Sequence, residues 1–470
     1  MGSTYTSLFI TYYLLLCLSL IVWSLEARDT KAESYHSVQL SSLLPANICS
    51  HSTTEPKDKG SLRVVHRDGP CAQQVQVHKS APTDAQILEQ DQYRVNSINS
   101  RISKKSIKQT DGTTLPAKSG ATIGSGNYIV TVGLGTPKRD LSMIFDTGSD
   151  LIWTQCQPCK GSCYSQKEPI FDPSKSSSYL SVSCNSDYCS GLTSATGNTP
   201  GCSAAASTCI YGIQYGDQSY SIGYLSQEKI TLSASDVFDK IVFGCGQNNR
   251  GLFGGSAGLL GLGRDQLSFV QQTAKKYGRI FSYCLPSTTS ATGYLTFGKA
   301  SGNVKYTPLS TIARGQSFYG LNLFGISVGG IKLSIPPSVF SSSGTIIDSG
   351  TVITRLPPTA YGQLRSVFRQ QMSSYPSTSA LSILDTCYDL TNYSKIKIPK
   401  ISFFFGSGTT VDLDFQGIMY AGSASQVCLA FAANGDDTDV TIFGNVQQKR
   451  LEVVYDVGGG RIGFGSAACS

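Results

Sequence analysis

The chain has 470 residues, of which 15% are charged and 48 are glycine, with 38 Lys and Arg against 31 Asp and Glu for a net charge of +7. That length has room for about three domains and for large cores, and abundant Gly with little charge favours many short strands over long charged helices. The mild basic balance is spread thinly, without a dense Lys/Arg block in the second part, so no nucleic-acid partner is expected.

The first segment, Leu8 to Leu25, is almost continuously apolar and is followed by Glu26, Ala27 and Arg28. It reads as a signal peptide spanning 1–27, cut near Ala27, and implies secretion to the extracellular space or apoplast. The stretch before it lacks Lys and Arg, and the run is long enough to cross a bilayer, so an uncleaved anchor is the alternative. Stable membrane association is not expected.

Residues 28–118 are polar and contain all four histidines, His36, His51, His66 and His78. Leu62 to Arg67 has the character of a strand, and Ala85 to Ile102 carries Ile87, Leu88, Val95 and Ile98 at partly helical spacing. The region reads as a removable pro-segment whose Arg94, Arg101, Lys104 and Lys105 pair with acidic groups of the remaining chain and release them on protonation. A solvated linker is the alternative. If the working unit starts near Gly120 it contains no histidine, which excludes Ser-His and Cys-His nucleophiles and His-based zinc chemistry. No metal or other cofactor is expected.

A Gly/Ser linker, Ser119 to Gly126, leads to a predicted strand from Asn127 to Gly135. Then an apolar run, Leu141 to Phe145, ends in Asp146-Thr147-Gly148-Ser149. About two hundred residues later Thr345 to Ile347 ends in Asp348-Ser349-Gly350-Thr351. Each copy is followed downstream by two apolar residues and a Gly, Leu259-Leu260-Gly261 and Ile442-Phe443-Gly444. The chain is thus an internal repeat of two large units. An Asp at the end of a buried strand, followed by Gly, fits a tight turn that fixes the carboxylate while neighbouring hydroxyls donate to it.

Between the two copies, Cys156, Cys159, Cys163, Cys184, Cys189, Cys202 and Cys209 crowd a Ser/Gly/Pro-rich stretch. Cys156-x-x-Cys159 admits zinc or redox work, but behind a secretion signal a disulfide-stapled loop is the stronger reading. With Cys245, Cys284, Cys387, Cys428 and Cys469 the count is twelve, and at least one of the first seven must pair outside its cluster. Ile210 to Ile230 alternates apolar and polar residues around Gly216 and Gly223, as a hairpin does. In the rest of the two repeated halves helices are expected to be few, at Leu267 to Tyr277 and Pro358 to Met372. Asn392-Tyr393-Ser394 is a glycosylation sequon.

These motifs resemble the pepsin-like aspartic proteases over about three quarters of the chain, from Tyr128 onward. The cysteine-rich insertion and the lack of a long inserted helical domain look most like the nepenthesin-like or nucellin-like plant branch. The resemblance implies an all-β fold of two pseudo-symmetric, barrel-like lobes with a few short helices, an N-terminal lobe at 119–300 and a C-terminal lobe at 301–470. It implies a monomeric endopeptidase made as a zymogen, with Asp146 and Asp348 activating a water against a peptide bond of a protein substrate. It gives Ser149 and Thr351 to the outer carboxylate oxygens and has Thr147 and Ser349 tie the two loops together. Tyr215, with Gly216 and Asp217, falls at the flap, and Trp153 offers its indole N–H to Tyr215, although both aromatics also suit a core. Cys387 is implied to pair with Cys428. The competing reading is an inert binding or inhibitor protein on the same fold. Such proteins typically spoil one Asp motif, and here both are complete.

Overall fold

The computed structural model describes residues 34–50, 60–72, 82–102, 128–466 and 469, apart from 216–217, 252, 300–302 and 312–314. The expected signal peptide and the expected boundaries at 118/119 and 300/301 lie outside the described residues. Among the described residues no helix is long and apolar enough to cross a membrane.

The architecture is all-β and bilobal, and it follows from where the sequence is continuously apolar. The run Leu141 to Phe145 is buried along its length within the strand Arg139–Asp146, as expected for a strand covered on both faces. This strand pairs antiparallel with Tyr128–Leu134 and parallel with Gly258–Gly261, with Asp146 opposite Gly261. Gly258–Gly261 also pairs antiparallel with Trp153–Gln155. The second half repeats the pattern. Thr345–Ile347 runs parallel to Thr441–Phe443, which in turn meets Thr354–Leu356 antiparallel at Arg355 and Ile442. The sequence repeat therefore corresponds to a repeat of strand pairing.

A 15-stranded sheet carries the first half and also takes in Glu452–Asp456 and Arg461–Gly465 from the far end of the chain. The strand Ser61–His66, from the segment expected to be removable, lies inside this sheet between Thr292–Phe297 and Tyr128–Leu134. Farther upstream, Tyr35–Gln39 pairs with Lys395–Pro399. The described part of this segment is therefore packed into the molecule, unlike the solvated linker of the alternative reading.

The predicted helix Leu267 to Tyr277 is two short helices, Phe269–Gln272 and Ala274–Tyr277, because Thr273 takes a non-helical conformation between them. Pro358–Gln371 forms as expected, with its proline at the first helical position, where no N–H is needed.

Disulfides staple the Ser/Gly-rich stretch, as befits a loop region with little core of its own. Cys159 pairs with Cys163, Cys184 with Cys202 and Cys189 with Cys209, while Cys156 reaches out to Cys245. Cys284–Cys469 and Cys387–Cys428 complete the twelve, and Cys49–Cys71 lies in the upstream segment.

Candidate active site

The two parallel pairings deliver Asp146 and Asp348 to the ends of equivalent strands, both buried. Each carboxylate is held by its own turn. Gly148 N–H donates to Asp146 Oδ1 at 3.0 Å and Ser149 Oγ to Oδ2 at 2.7 Å. Gly350 N–H donates to Asp348 Oδ1 at 3.0 Å and Thr351 Oγ1 to Oδ2 at 2.6 Å. The glycines are required by proximity: a Cβ on Gly148 would lie 2.7 Å from Asp348 Oδ1, and one on Gly350 would lie 2.5 Å from Asp146 Oδ1. Any side chain there would push the carboxylates apart.

The loops are tied to each other reciprocally. Thr147 N–H donates to Ser349 Oγ at 3.1 Å, and Ser349 N–H donates to Thr147 Oγ1 at 2.9 Å, all within buried surroundings. Serine in place of threonine keeps the tie because only the hydroxyl is used. Ser349→Ala would strand the Thr147 N–H without an acceptor, at a cost of about 1–3 kcal/mol. Thermal denaturation is expected to show a lower midpoint for Ser349→Ala and an unchanged one for Ser349→Thr; equal midpoints for all three chains would refute the tie.

Trp153 Nε1–H donates to Tyr215 Oη at 2.7 Å, and both rings pack edge-on against Phe253. Trp153 is fully buried and Tyr215 partly so. Tyr215 directly follows the strand Thr208–Gln214, whose hairpin partner is Tyr220–Ser233. Gly216 and Asp217 lie outside the described residues. Asn392 is exposed, in a turn before Lys395–Pro399. Among the described residues no cluster of three His, Cys, Asp or Glu side chains is arranged to hold a metal ion.

Over the paired carboxylates lies helix α1 (Asp84–Ile102). Its start is a capping box: Gln86 N–H donates to Thr83 Oγ1 and Thr83 N–H to Gln86 Oε1. Its apolar stripe contains Ile87, Leu88, Val95 and Ile98, all buried. Asp91 and Arg94 fall within that stripe by their spacing, so the helix presents two charges to the surface it covers. Arg94 Nη2–H donates to Asp146 Oδ1 at 2.7 Å and to Asp348 Oδ1 at 2.9 Å. Its Nε–H reaches Asp348 Oδ2 at 2.9 Å and Nη1–H reaches Asp146 Oδ2 at 3.3 Å.

Burial by itself would raise the Asp348 carboxyl, but the Arg94 charge and the donors Thr351 and Gly350 outweigh it and hold that carboxyl below its ordinary value. Burial likewise works against the Arg94 charge and is overcome by the two carboxylates, which raise its pKa.

Sequence reasoning missed the support behind the site. Asn445 N–H donates to Thr351 O at 2.7 Å and its Nδ2 to Ser349 O at 3.0 Å. Gln448 Nε2 donates to Phe443 O at 2.8 Å and Asp348 O at 3.3 Å. Both follow Ile442-Phe443-Gly444, so the downstream motif was the available signal. Asp150, directly after the first motif, was also overlooked. Burial pushes its carboxyl up to about 7, against the pull of donors Ser317 Oγ and Asp265 N–H.

Comparison with known proteins bears on this geometry. Residues 128–299 match the family described as Xylanase inhibitor N-terminal, and residues 318–466 match Xylanase inhibitor C-terminal. Aspartyl protease AED1 of Arabidopsis thaliana is 51% identical over 98% of this chain and 99% of its own length. Aspartic proteinase nepenthesin-2 of Nepenthes gracilis is 36% identical over 81% of this chain and 85% of its own. Among solved structures, Basic 7S globulin from soybean superposes with a TM-score of 0.58 at 19% identity, over 73% of this chain and 93% of its own, which speaks to the fold alone. With two motif-bearing halves, and relatives named as aspartic proteases along nearly its whole length, the chain belongs to the plant pepsin-like aspartic protease family.

Proposed function

We propose that the protein is a secreted aspartic endopeptidase made as a zymogen, in which Asp146 and Asp348 activate a water against a peptide bond. The observation that carries this reading is that a single Arg94 nitrogen reaches an oxygen of each carboxylate, at 2.7 and 2.9 Å. That nitrogen stands where one small molecule can be held between them. With the helix gone, two carboxylates this close share one proton over an acidic window. The ionised member takes a proton from the water as it attacks the peptide carbonyl, while the protonated member donates to the developing oxyanion and then to the leaving amine. Gly148, Ser149, Gly350 and Thr351 keep the carboxylates oriented throughout.

Residues 28–118 are then the pro-segment, 119–300 and 301–470 the two lobes, and 1–27 the secretion signal. The seven disulfides formed by described residues support an oxidising destination. Exposed Asn392 suits glycan attachment there.

An extended peptide would lie beneath Tyr215, whose hydroxyl the Trp153 indole orients. Tyr215→Phe removes that acceptor and leaves a buried N–H unpaired, a loss of about 1–3 kcal/mol. Peptide cleavage by this variant is expected to fall roughly tenfold in kcat/KM. Unchanged kinetics in a folded variant would remove Tyr215 from the mechanism.

A second reading, an inert binding protein, is favoured by the inhibitor descriptions of the two matched family models. It is separated from the first by acidifying the full chain with a denatured protein substrate, with and without pepstatin. Pepstatin-sensitive cleavage supports the protease; a chain freed of its pro-segment yet inert from about pH 3 to 7, across the dyad's working range, supports the binding protein.

A further inference from the structure

Helix α1 makes a second charged contact beside the first. The fully buried Asp91 carboxylate accepts from Val352 N–H at 2.6 Å and Ile353 N–H at 3.1 Å, and pairs with Arg355 Nη2 at 2.9 Å. Arg355 is itself fully buried. Its Nη1 donates to Ile353 O at 2.8 Å, its Nη2 also lies 3.5 Å from Gln92 Oε1, and its Nε has no partner. Apart from Ile353 O, the acceptors that Arg355 reaches among the described residues are therefore supplied by α1.

Departure of the helix leaves a guanidinium that cannot shed its proton, with donors pointing into the space the helix occupied. A buried arginine stripped of its partner is costly, and two backbone N–H groups beside it lose their acceptor at the same moment. We propose that Arg355, with the Val352 and Ile353 amides, is a carboxylate-recognising subsite of the substrate cleft, so that the enzyme prefers peptides carrying Asp or Glu at one fixed distance from the cut. Asp91 occupies this subsite in the structure and stands in for the substrate side chain. The inference rests on the protease reading above.

Position and surroundings both fit. Asp91 and Arg94 are three residues apart on a helix, which separates their side chains by about 5–6 Å. The subsite is therefore one or two residues of extended peptide, at about 3.3 Å each, from the bond being cut. Around it, Ile87 and Leu88 of α1 pack against Val352, Ile353, Leu384 and Ala430. The acidic position is thus flanked by an apolar wall.

The full chain, acid-activated, would be given paired peptide libraries in which each position in turn carries Glu or Gln, at the highest pH at which cleavage is measurable. Wild type is expected to favour Glu about tenfold or more in kcat/KM at a single position. Arg355→Gln should erase that ratio, whatever it does to the overall rate, and Arg355→Lys should restore part of it. Cleavage by wild type with no acidic preference at any position overturns the inference and leaves the protease reading intact, reducing the Asp91 pair to a helix anchor. A ratio that survives Arg355→Gln also overturns it. No cleavage of any peptide overturns the protease reading and this inference together. The wild-type comparison decides the matter even where a variant fails to fold.

Discussion

Chains carrying Asp146→Asn or Asp348→Asn, acidified and freed of the upstream segment, are expected to lose cleavage of a denatured protein by about a thousandfold or more. The carboxamide is nearly isosteric: its oxygen still accepts from the turn glycine while its NH2 donates to the neighbouring hydroxyl, so strand pairing and the Thr147–Ser349 tie remain. What it cannot do is exchange a proton. With either carboxyl gone, no pair remains that can take a proton from water on one side and give one to the leaving amine on the other, and that exchange contributes about 10²–10⁴-fold. Both substitutions should therefore cost similar factors, although Asp348 has the lowered pKa while helix α1 is docked. Progress curves for both variants and wild type, with thermal melts to establish folding, decide the point. Substantial activity in either folded variant would remove that residue from the chemistry.

Much of this site was legible because its parts are local in sequence. An apolar run ending in Asp-x-Gly-x states a buried strand, a tight turn and a fixed carboxylate within a few residues, and the duplication states that there are two. The parallel pairing to Leu259–Gly261 and Thr441–Phe443 was anticipated only as matched motifs, since register is a property of the partner strand. The supporting Asn445 and Gln448 were not legible, because nothing about an isolated amide side chain reveals which carbonyl it meets. Arg94 was one of four cations named without a specified partner. Its spacing puts it on the buried stripe of the helix with Asp91, a conflict between polarity and period that the sequence displays openly, but Arg101, seven residues on, shares that face by period, so spacing alone does not single Arg94 out. Charged residues within an apolar stripe indicate that the covered surface is itself charged. The single helix expected over Leu267 to Tyr277 breaks at Thr273, whose hydroxyl bonds back locally to Phe269 O at 2.7 Å and whose backbone is non-helical, a local competition that the apolar spacing does not reveal.

On the zymogen reading proposed above, replacing Arg94 should give a chain active without acid treatment. In the structure one guanidinium spans both carboxylates, largely buried, and closes the space between them. The linkage has a definite sign. The docked Asp348 has a lowered pKa, so its contribution to docking is complete above the ordinary carboxylate value of about 4 and is lost as pH falls through the lowered docked value. Asp91 works the other way. Burial raises its carboxyl against the pull of Arg355 and the two amides, so its contribution weakens as pH rises. On that reading, acid release belongs to the Arg94 contact and not to Asp91. Arg94→Gln removes the charge pair and leaves two buried carboxylates facing a neutral amide, a loss of about 3–5 kcal/mol in docking. The variant is expected to cleave a fluorogenic peptide at about pH 5, where carboxylates are mostly ionised, with no lag and before its upstream segment is cut; wild type should be silent there until acidified. Arg94→Lys should fall between, since a point charge cannot bridge four oxygens in fixed geometry. Latency that persists unchanged in folded Arg94→Gln would mean that the apolar stripe and Asp91 hold the helix by themselves. Inhibition would then be a matter of occupied space, with no dependence on the charge of the pair.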